Sequence, residues 1–203
     1  SSEMVSQLAT AITTFLFNNI MMELLGENGV AAITIIIYSQ FLLNTLYIGY
    51  SIGIAPVIGF NYGNKNDVQQ KKVFRISMGF IAAASVLIFS VSMFGSSHIV
   101  RLFAEDTSEV YQIAANGFTI FSFSFLFCGL NNFTSAMFTA LSNGKVSAVL
   151  SFLRTFGLLA GGILLLPRIW GTTGVWMAVP IAEGIMFFVS MICLIHFRKR
   201  YSY

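Results

Sequence analysis

The sequence predicts an all-α, polytopic membrane protein with six transmembrane helices in one bundle. Hydrophobic residues make up 56% of the 203 residues and charged residues only 9%, whereas a soluble domain carries roughly 25% charged residues. Stretches such as residues 76–94 and 156–166 are apolar around the whole helical circumference, which suits lipid rather than water. Hydrocarbon is therefore the expected surroundings of most of the chain.

Polar interruptions divide the chain into six apolar runs, and a spanning helix needs about 20 such residues. The second and fourth runs exceed one crossing, so we expect each to tilt, kink or continue beyond the bilayer. Pro56 with Gly59 is expected to end or bend the second run. We place the six spans at residues 4–25, 30–60, 74–94, 113–141, 146–166 and 175–197.

Two local patterns predict further detail between and within the spans. Asp106 precedes Glu109 by three residues, which is the spacing of a capping box and predicts a helix start at Asp106. Gly157 and Gly161 form a GxxxG pattern in the fifth span, which predicts close approach of a neighbouring helix.

The positive charges predict an orientation, because Lys and Arg accumulate on the cytoplasmic side of membrane helices. Nine of the eleven Lys and Arg residues fall on one side of the predicted bundle, and only Arg101 and Arg168 fall on the other. Both termini of this segment are therefore expected in the cytoplasm. The chain opens on Ser1 without a basic signal-peptide start, so we expect a piece of a longer protein.

Three spans carry polar residues at helical spacing, each set on one face. Interhelical hydrogen bonds explain such residues, and so does a shared polar cavity; both interpretations stay open. Asn18, Asn44, Tyr47 and Asn131 are our candidates for substrate or ion binding. The three sets are Gln7, Thr10, Thr14 and Asn18; Gln40, Asn44, Tyr47 and Ser51; and Ser124, Cys128, Asn131, Ser135 and Thr139.

Glu183 and Arg154 are ionisable residues deep in the sixth and fifth spans, each eight residues from where its span begins. At 1.5 Å per residue both lie roughly 12 Å deep, from opposite faces of about 30 Å of hydrocarbon. An ion pair between them, direct or through water, is therefore feasible. Because an unpaired carboxylate at this depth costs about 2.5–3.5 kcal/mol, we expect Glu183 to be paired, protonated or facing water. A static structural pair and a coupling site that responds to substrate both fit, and Arg154 has the alternative of extending to the cytosolic interface.

Four segments in order resemble the second half of multidrug and toxic compound extrusion (MATE) transporters, in particular the MepA-like group. The resemblance extends over nearly the whole chain. The segments are GIAPVIGFNYGNKNDVQQKK, LFAEDTSEV, TALSNGKVSAVLSFLR and GTTGVWMAVPIAEG.

The resemblance implies one six-helix bundle of a two-bundle antiporter in the cytoplasmic membrane. It implies export of lipophilic organic cations in exchange for H⁺ or Na⁺, with Glu183 balancing the substrate or accepting a coupling proton. The partners implied are the lipid bilayer and an N-terminal six-helix half or a second copy. One departure is that ATAITTFLFNNI in the first span has no carboxylate, where NorM-like members carry one.

Other functions remain as alternatives. A flippase for lipid-linked oligosaccharides shares the superfamily but is expected to need a cationic cavity, and Arg154 is the one deep base. A half-transporter inactive alone is a second alternative. No HExxH or GxSxG motif occurs, and Cys128 and Cys193 lack CxxC spacing, so we predict no enzyme, cofactor or metal site. The net charge of +3 is explained by cytoplasmic anchoring, so nucleic acid is not an expected partner.

Overall fold

The structure, a computed structural model, is helical throughout the part of the chain that it describes. It describes residues 8–203 in full, and of residues 2–7 only that they begin the first helix. A 3₁₀ turn, Ser122–Ser124, joins α3 to α4, and a π-helical segment, Leu153–Ala160, joins α5 to α6. The helices are α1 (Ser2–Gly63), α2 (Asp67–Arg101), α3 (Glu109–Phe121), α4 (Phe125–Ala140), α5 (Gly144–Phe152) and α6 (Gly161–Tyr201).

The number of continuous apolar helical stretches differs from the prediction. Within residues 8–203, four stretches rather than six are long and apolar enough to cross a membrane. The first and second predicted spans follow each other in α1 without a loop, and the fifth and sixth join through α5, the π-helical segment and α6. The four stretches are Leu8–Gly63, Asp67–Arg101, Glu109–Ala140 and Gly144–Tyr201.

Two glycines with positive φ interrupt the two longest stretches. Gly26 has φ 63° and ψ −149° in α1, and Gly171 has φ 55° and ψ −134° in α6. Glycine suits both positions because a Cβ atom disfavours this backbone conformation. A Cβ atom placed on Gly162 would lie 3.7 Å from the carbonyl oxygen of Ala178, 16 residues later, although a straight helix separates such residues by about 24 Å. The chain therefore folds back at Gly171.

A short distance between residues far apart along the helix shows that α1 also folds back at Gly26. A Cβ atom placed on Gly29 would lie 2.8 Å from the carbonyl oxygen of Met21, whereas eight residues along a straight helix are separated by about 12 Å. Pro56, by contrast, neither ends α1 nor prevents it from continuing to Gly63.

Side-chain hydrogen bonds cap the N-termini of three helices. Asn66 caps α2 by accepting from the Gln69 amide at 3.1 Å, and Asn143 caps α5. The cap of α3 is Ser108, whose hydroxyl accepts from the Tyr111 amide at 3.1 Å. The predicted start at Asp106 is therefore wrong.

The predicted cap residues make other contacts instead. Asp106 pairs with Arg101 at 2.8 Å, across the turn that follows α2. Glu109 accepts a hydrogen bond of 2.7 Å from Asn28 Nδ2. Both carboxylates thus tie neighbouring segments together at this end of the bundle.

Helix α4 occupies the centre of the fold, where it contacts α1, α2, α5 and α6. Gly129 permits this packing, because a Cβ atom there would meet the Tyr47 ring at 2.8 Å and the Ser85 hydroxyl at 2.9 Å. Helix α4 contributes to both groups of buried side chains. One group includes Phe125 of α4 with Phe118, and the other includes Phe133 and Phe138 of α4.

The GxxxG prediction for the fifth span is wrong. A Cβ atom on Gly161 would meet nothing within 4 Å, and one on Gly157 would meet only Leu153 of the same segment. The close approach occurs at Gly162 instead, where an added Cβ atom would lie 3.7 Å from the Ala178 carbonyl oxygen.

Candidate functional site

A cavity of about 1230 Å³ opens between α1, α4, α5, the π-helical segment and α6. Its wall combines hydroxyl and amide side chains with one acid and one base. Each of the three predicted polar faces contributes to it: Thr10 and Thr14 from the first, Gln40 and Ser51 from the second, and Asn131, Ser135 and Thr139 from the third. Part of each face therefore lines a shared cavity, while Tyr47, Asn44 and Ser135 also make hydrogen bonds between helices.

An ion pair joins Arg154 in the π-helical segment to Glu183 in α6, as the depth of the two residues predicted. Arg154 Nη2 lies 2.6 Å and Nε 2.8 Å from Glu183 Oε1. The Glu183 side chain is 7% exposed and that of Arg154 is 23% exposed. Removing a carboxylate from water this far is costly, and the contact with the Arg154 guanidinium offsets that cost.

The second carboxylate oxygen of Glu183 is held by α4. Asn131 Nδ2 donates to Glu183 Oε2 at 2.7 Å and also to its backbone carbonyl at 3.0 Å. Ser190 donates its hydroxyl to Asn131 Oδ1 at 2.8 Å, which fixes the orientation of the amide. Every oxygen of Glu183 therefore has a partner, and the carboxylate is held from two sides.

Asn132 contacts the other member of the pair. Its Oδ1 accepts from Arg154 Nη1 at 2.6 Å. A cluster of hydroxyls continues along the wall from there: Ser135 Oγ lies 3.0 Å from both Ser147 Oγ and Ser151 Oγ, and Thr139 donates to Ser147 at 2.8 Å. Adjacent residues of α4 thus hold opposite charges of one ion pair.

The six predicted site residues divide into two groups. Glu183, Arg154 and Asn131 line the cavity, and they contact one another. The other three, Asn18, Asn44 and Tyr47, are not part of its wall. The structure thus brings together half of the candidates.

Of the three candidates outside the wall, Tyr47 is buried and Asn18 and Asn44 are half-buried. Tyr47 is 1% exposed and donates to the Phe125 carbonyl at 3.0 Å. Asn44 Oδ1 accepts from Cys128 Sγ at 3.1 Å. Asn18 Oδ1 is buried and has no partner in residues 8–203, and Gln7, its companion on the predicted face, lies outside the described residues.

Sequence reasoning missed Asn132, Ser147, Ser151 and Ser190. A signal was available for two of them, because Ser147, Ser151 and Arg154 follow steps of four and three and share a helical face. Asn132 adjoins a residue that was selected, but a 100° step to the next residue normally points away. Ser190 acts through Asn131, which only the fold reveals.

These features define a class of protein: a membrane-embedded helical bundle with a polar cavity and a buried ion pair in its wall. The family model described as MatE matches residues 4–160, most of the chain. The chain therefore belongs to the MatE family, and the predicted resemblance to MATE transporters is confirmed.

Individual relatives agree with this assignment. The chain is 23% identical over 161 residues to the multidrug export protein MepA of Staphylococcus haemolyticus, covering 76% of this chain and 34% of that protein. A mutant of the Vibrio cholerae MATE transporter VcmN has the same fold, with a TM-score of 0.88 at 20% identity over 98% of this chain and 45% of that one.

A MOP superfamily transporter of Pyrococcus furiosus also has this fold. Its TM-score is 0.85 at 22% identity, over 98% of this chain and 44% of that one. The chain thus spans about half the length of the transporters whose fold it shares, and about a third of the length of MepA.

Proposed function

We propose that the chain is the C-terminal half of a MATE-type antiporter that exports organic cations across the cytoplasmic membrane in exchange for H⁺ or Na⁺. The observation that carries this proposal is the ion pair of Glu183 and Arg154 in the wall of a polar cavity, in a chain of the MatE family. An intramembrane carboxylate on a cavity is where a cation or a proton has an acceptor.

The four apolar stretches make six crossings in this proposal. Gly26 divides α1 and Gly171 divides the last stretch, and each arm is long enough for the hydrocarbon core. The shortest arm, residues 2–25, has 24 residues, which span about 36 Å. Six crossings would put both termini of this segment on one side, and the Lys and Arg distribution supports the cytoplasm as that side.

The cavity opens at the surface of this chain, so the transport path needs a second wall. The span of about half the length of the matched transporters supports an N-terminal six-helix half as that wall, and a second copy is the other arrangement that closes it. Rocking of one bundle against the other would expose the cavity alternately to each side. A half-transporter expressed alone would be inactive.

Glu183 is the proposed coupling group. Arg154 and Asn131 hold its carboxylate from two sides. A proton or cation reaching Glu183 competes with the Arg154 guanidinium for the same oxygen, so occupancy of the site changes a contact between the π-helical segment and α6. A contact of this kind gives an ion a differential effect on two conformations, which is what coupling requires.

The test is efflux of a fluorescent organic cation from vesicles that contain the complete transporter, while proton and Na⁺ gradients are collapsed in turn. We expect gradient-dependent efflux that is lost in Glu183→Gln with normal membrane insertion. The matched control is Asp106→Asn, since Asp106 is the acid of the exposed pair with Arg101. Efflux that survives collapse of both gradients contradicts antiport, and full activity of Glu183→Gln contradicts the role of Glu183.

A further inference from the structure

The described wall of the cavity is electrically balanced. Arg154 and Glu183 are the only ionisable side chains among its lining residues in 8–203, and they neutralise each other at 2.6 Å. Both oxygens of Glu183 are engaged, one by Arg154 and one by Asn131. A substrate cation therefore finds no free carboxylate on this wall, and an uncompensated charge is expensive to take from water.

Arg154 is the more exposed member of the pair. Its side chain is 23% exposed against 7% for Glu183. A guanidinium carries five N–H donors, and three contacts are made, by Nε and Nη2 to Glu183 and by Nη1 to Asn132. Five minus three leaves two N–H groups without a partner in the described part of the chain.

Asn132 adds another donor beside them. Its Oδ1 accepts from Arg154 at 2.6 Å, which directs the amide so that the oxygen faces the guanidinium. Its Nδ2 has no hydrogen-bond partner within residues 8–203, and the residue is partly exposed on the cavity. Ser51, also in the wall and 4% exposed, likewise has a hydroxyl without a partner there.

We propose that the two unpaired Arg154 N–H groups and Asn132 Nδ2, together the donor edge, bind a carboxylate of the substrate. The favoured cargo is then amphoteric, an organic molecule that carries a cation and a carboxylate together. Such a molecule brings its own counter-charge to a neutral wall, and its carboxylate makes charge-assisted hydrogen bonds of the strong type. The inference rests on the proposed function for its route and narrows that function to one class of substrate.

The test compares a rhodamine that has a free benzoic acid with its methyl ester, which is a cation on the same ring system. Binding of each dye to the purified complete transporter is measured by fluorescence anisotropy, and gradient-driven efflux is measured in vesicles. We expect the acid to bind about tenfold more tightly than the ester, because a charge-assisted hydrogen bond is about twice as strong as a neutral one.

Two variants test the donor edge without breaking the ion pair. Asn132→Asp keeps an oxygen for Arg154 but removes the Nδ2 donor and adds a negative charge, so it should weaken binding of the acid about tenfold or more and not weaken binding of the ester. Asn132→Ala removes the donor without adding charge and should give a smaller loss for the acid. The control is Asn64→Asp, the same change at an exposed position outside the wall.

The outcomes separate this inference from the proposed function. Equal binding of acid and ester by the wild type, or equal loss of both in Asn132→Asp, overturns the donor edge. Gradient-driven efflux of the ester without preferential binding of the acid leaves the proposed antiport standing and removes the inference. Preferential binding of the acid without gradient-driven efflux of either dye supports the donor edge and contradicts the proposed antiport.

Discussion

Replacing Arg154 by Met should destabilise the protein strongly. The change removes the contacts of 2.8 Å and 2.6 Å to Glu183 Oε1. The Asn131 hydrogen bond to Oε2, at 2.7 Å, remains, but a neutral amide donor does not balance a charge. Glu183 is 6% exposed and therefore stays out of water. The variant is left with a buried carboxylate that must either keep an unpaired charge or take up a proton.

The size of the effect follows from burial. Breaking a buried ion pair by removing one partner costs about 3–5 kcal/mol, and Arg154 at 23% side-chain exposure lies partly within reach of water. The cost of a charged residue at mid-membrane, about 2.5–3.5 kcal/mol, gives a second bound. We expect Arg154→Met to lower the free energy of unfolding by about 2–4 kcal/mol. The double variant Arg154→Met with Glu183→Gln should regain most of this, because no buried charge is left.

The assay is reversible unfolding of the complete transporter in detergent, followed by circular dichroism as SDS is added. Arg101→Met is the control, since Arg101 and Asp106 are about half exposed and such pairs contribute about 1 kcal/mol or less. Wild-type stability of Arg154→Met would refute the reasoning. So would a double variant no more stable than Arg154→Met, because the loss would then come from packing of the arginine and not from an unpaired carboxylate.

Three further predictions concern packing. Gly129→Ala should cost about 1–3 kcal/mol of unfolding free energy, since its Cβ would press on the Tyr47 ring; Gly49→Ala, with nothing within 4 Å, is its control. Tyr47→Phe removes the bond to the Phe125 carbonyl and should cost about 1 kcal/mol while leaving dye efflux unchanged. Gly171→Ala, at φ 55°, should lower the free energy of unfolding by about 1–2 kcal/mol. Wild-type stability of Gly129→Ala or Gly171→Ala, or lost efflux in Tyr47→Phe, would contradict these assignments.

Periodicity and depth were enough to predict the parts of the site that lie in regular helices. Spacing of three and four placed Ser135 and Thr139 on the same face as Asn131, and all three line the cavity. Depth counted from opposite faces of the membrane predicted the contact between Arg154 and Glu183. These features depend on helix geometry alone, which is nearly independent of the neighbours.

The remaining features depend on tertiary packing and could not be predicted from spacing. Tyr47 shares a predicted face with Gln40 but is buried against α4, because Gly129 leaves room for its ring. The count of helical stretches failed because Gly26 and Gly171 reverse the chain within a single residue, where a polar loop was expected. Both glycines lie in the gaps left between the predicted spans, 26–29 and 167–174, so the sequence located the interruptions but not the glycine-specific backbone conformation that forms them.

The position of Arg154 between two kinds of partner has a consequence for coupling. In the proposed function Glu183, held by Asn131 and through it by Ser190, is the group that a proton or cation would engage. The donor edge of Arg154 and Asn132 is the group that a carboxylate can engage. An ion that neutralises Glu183 weakens its hold on Arg154, and a carboxylate bound to Arg154 competes with Glu183 for the same guanidinium. The two ligands therefore act on one ion pair from opposite sides, so their binding is linked, and linkage of this kind is reciprocal.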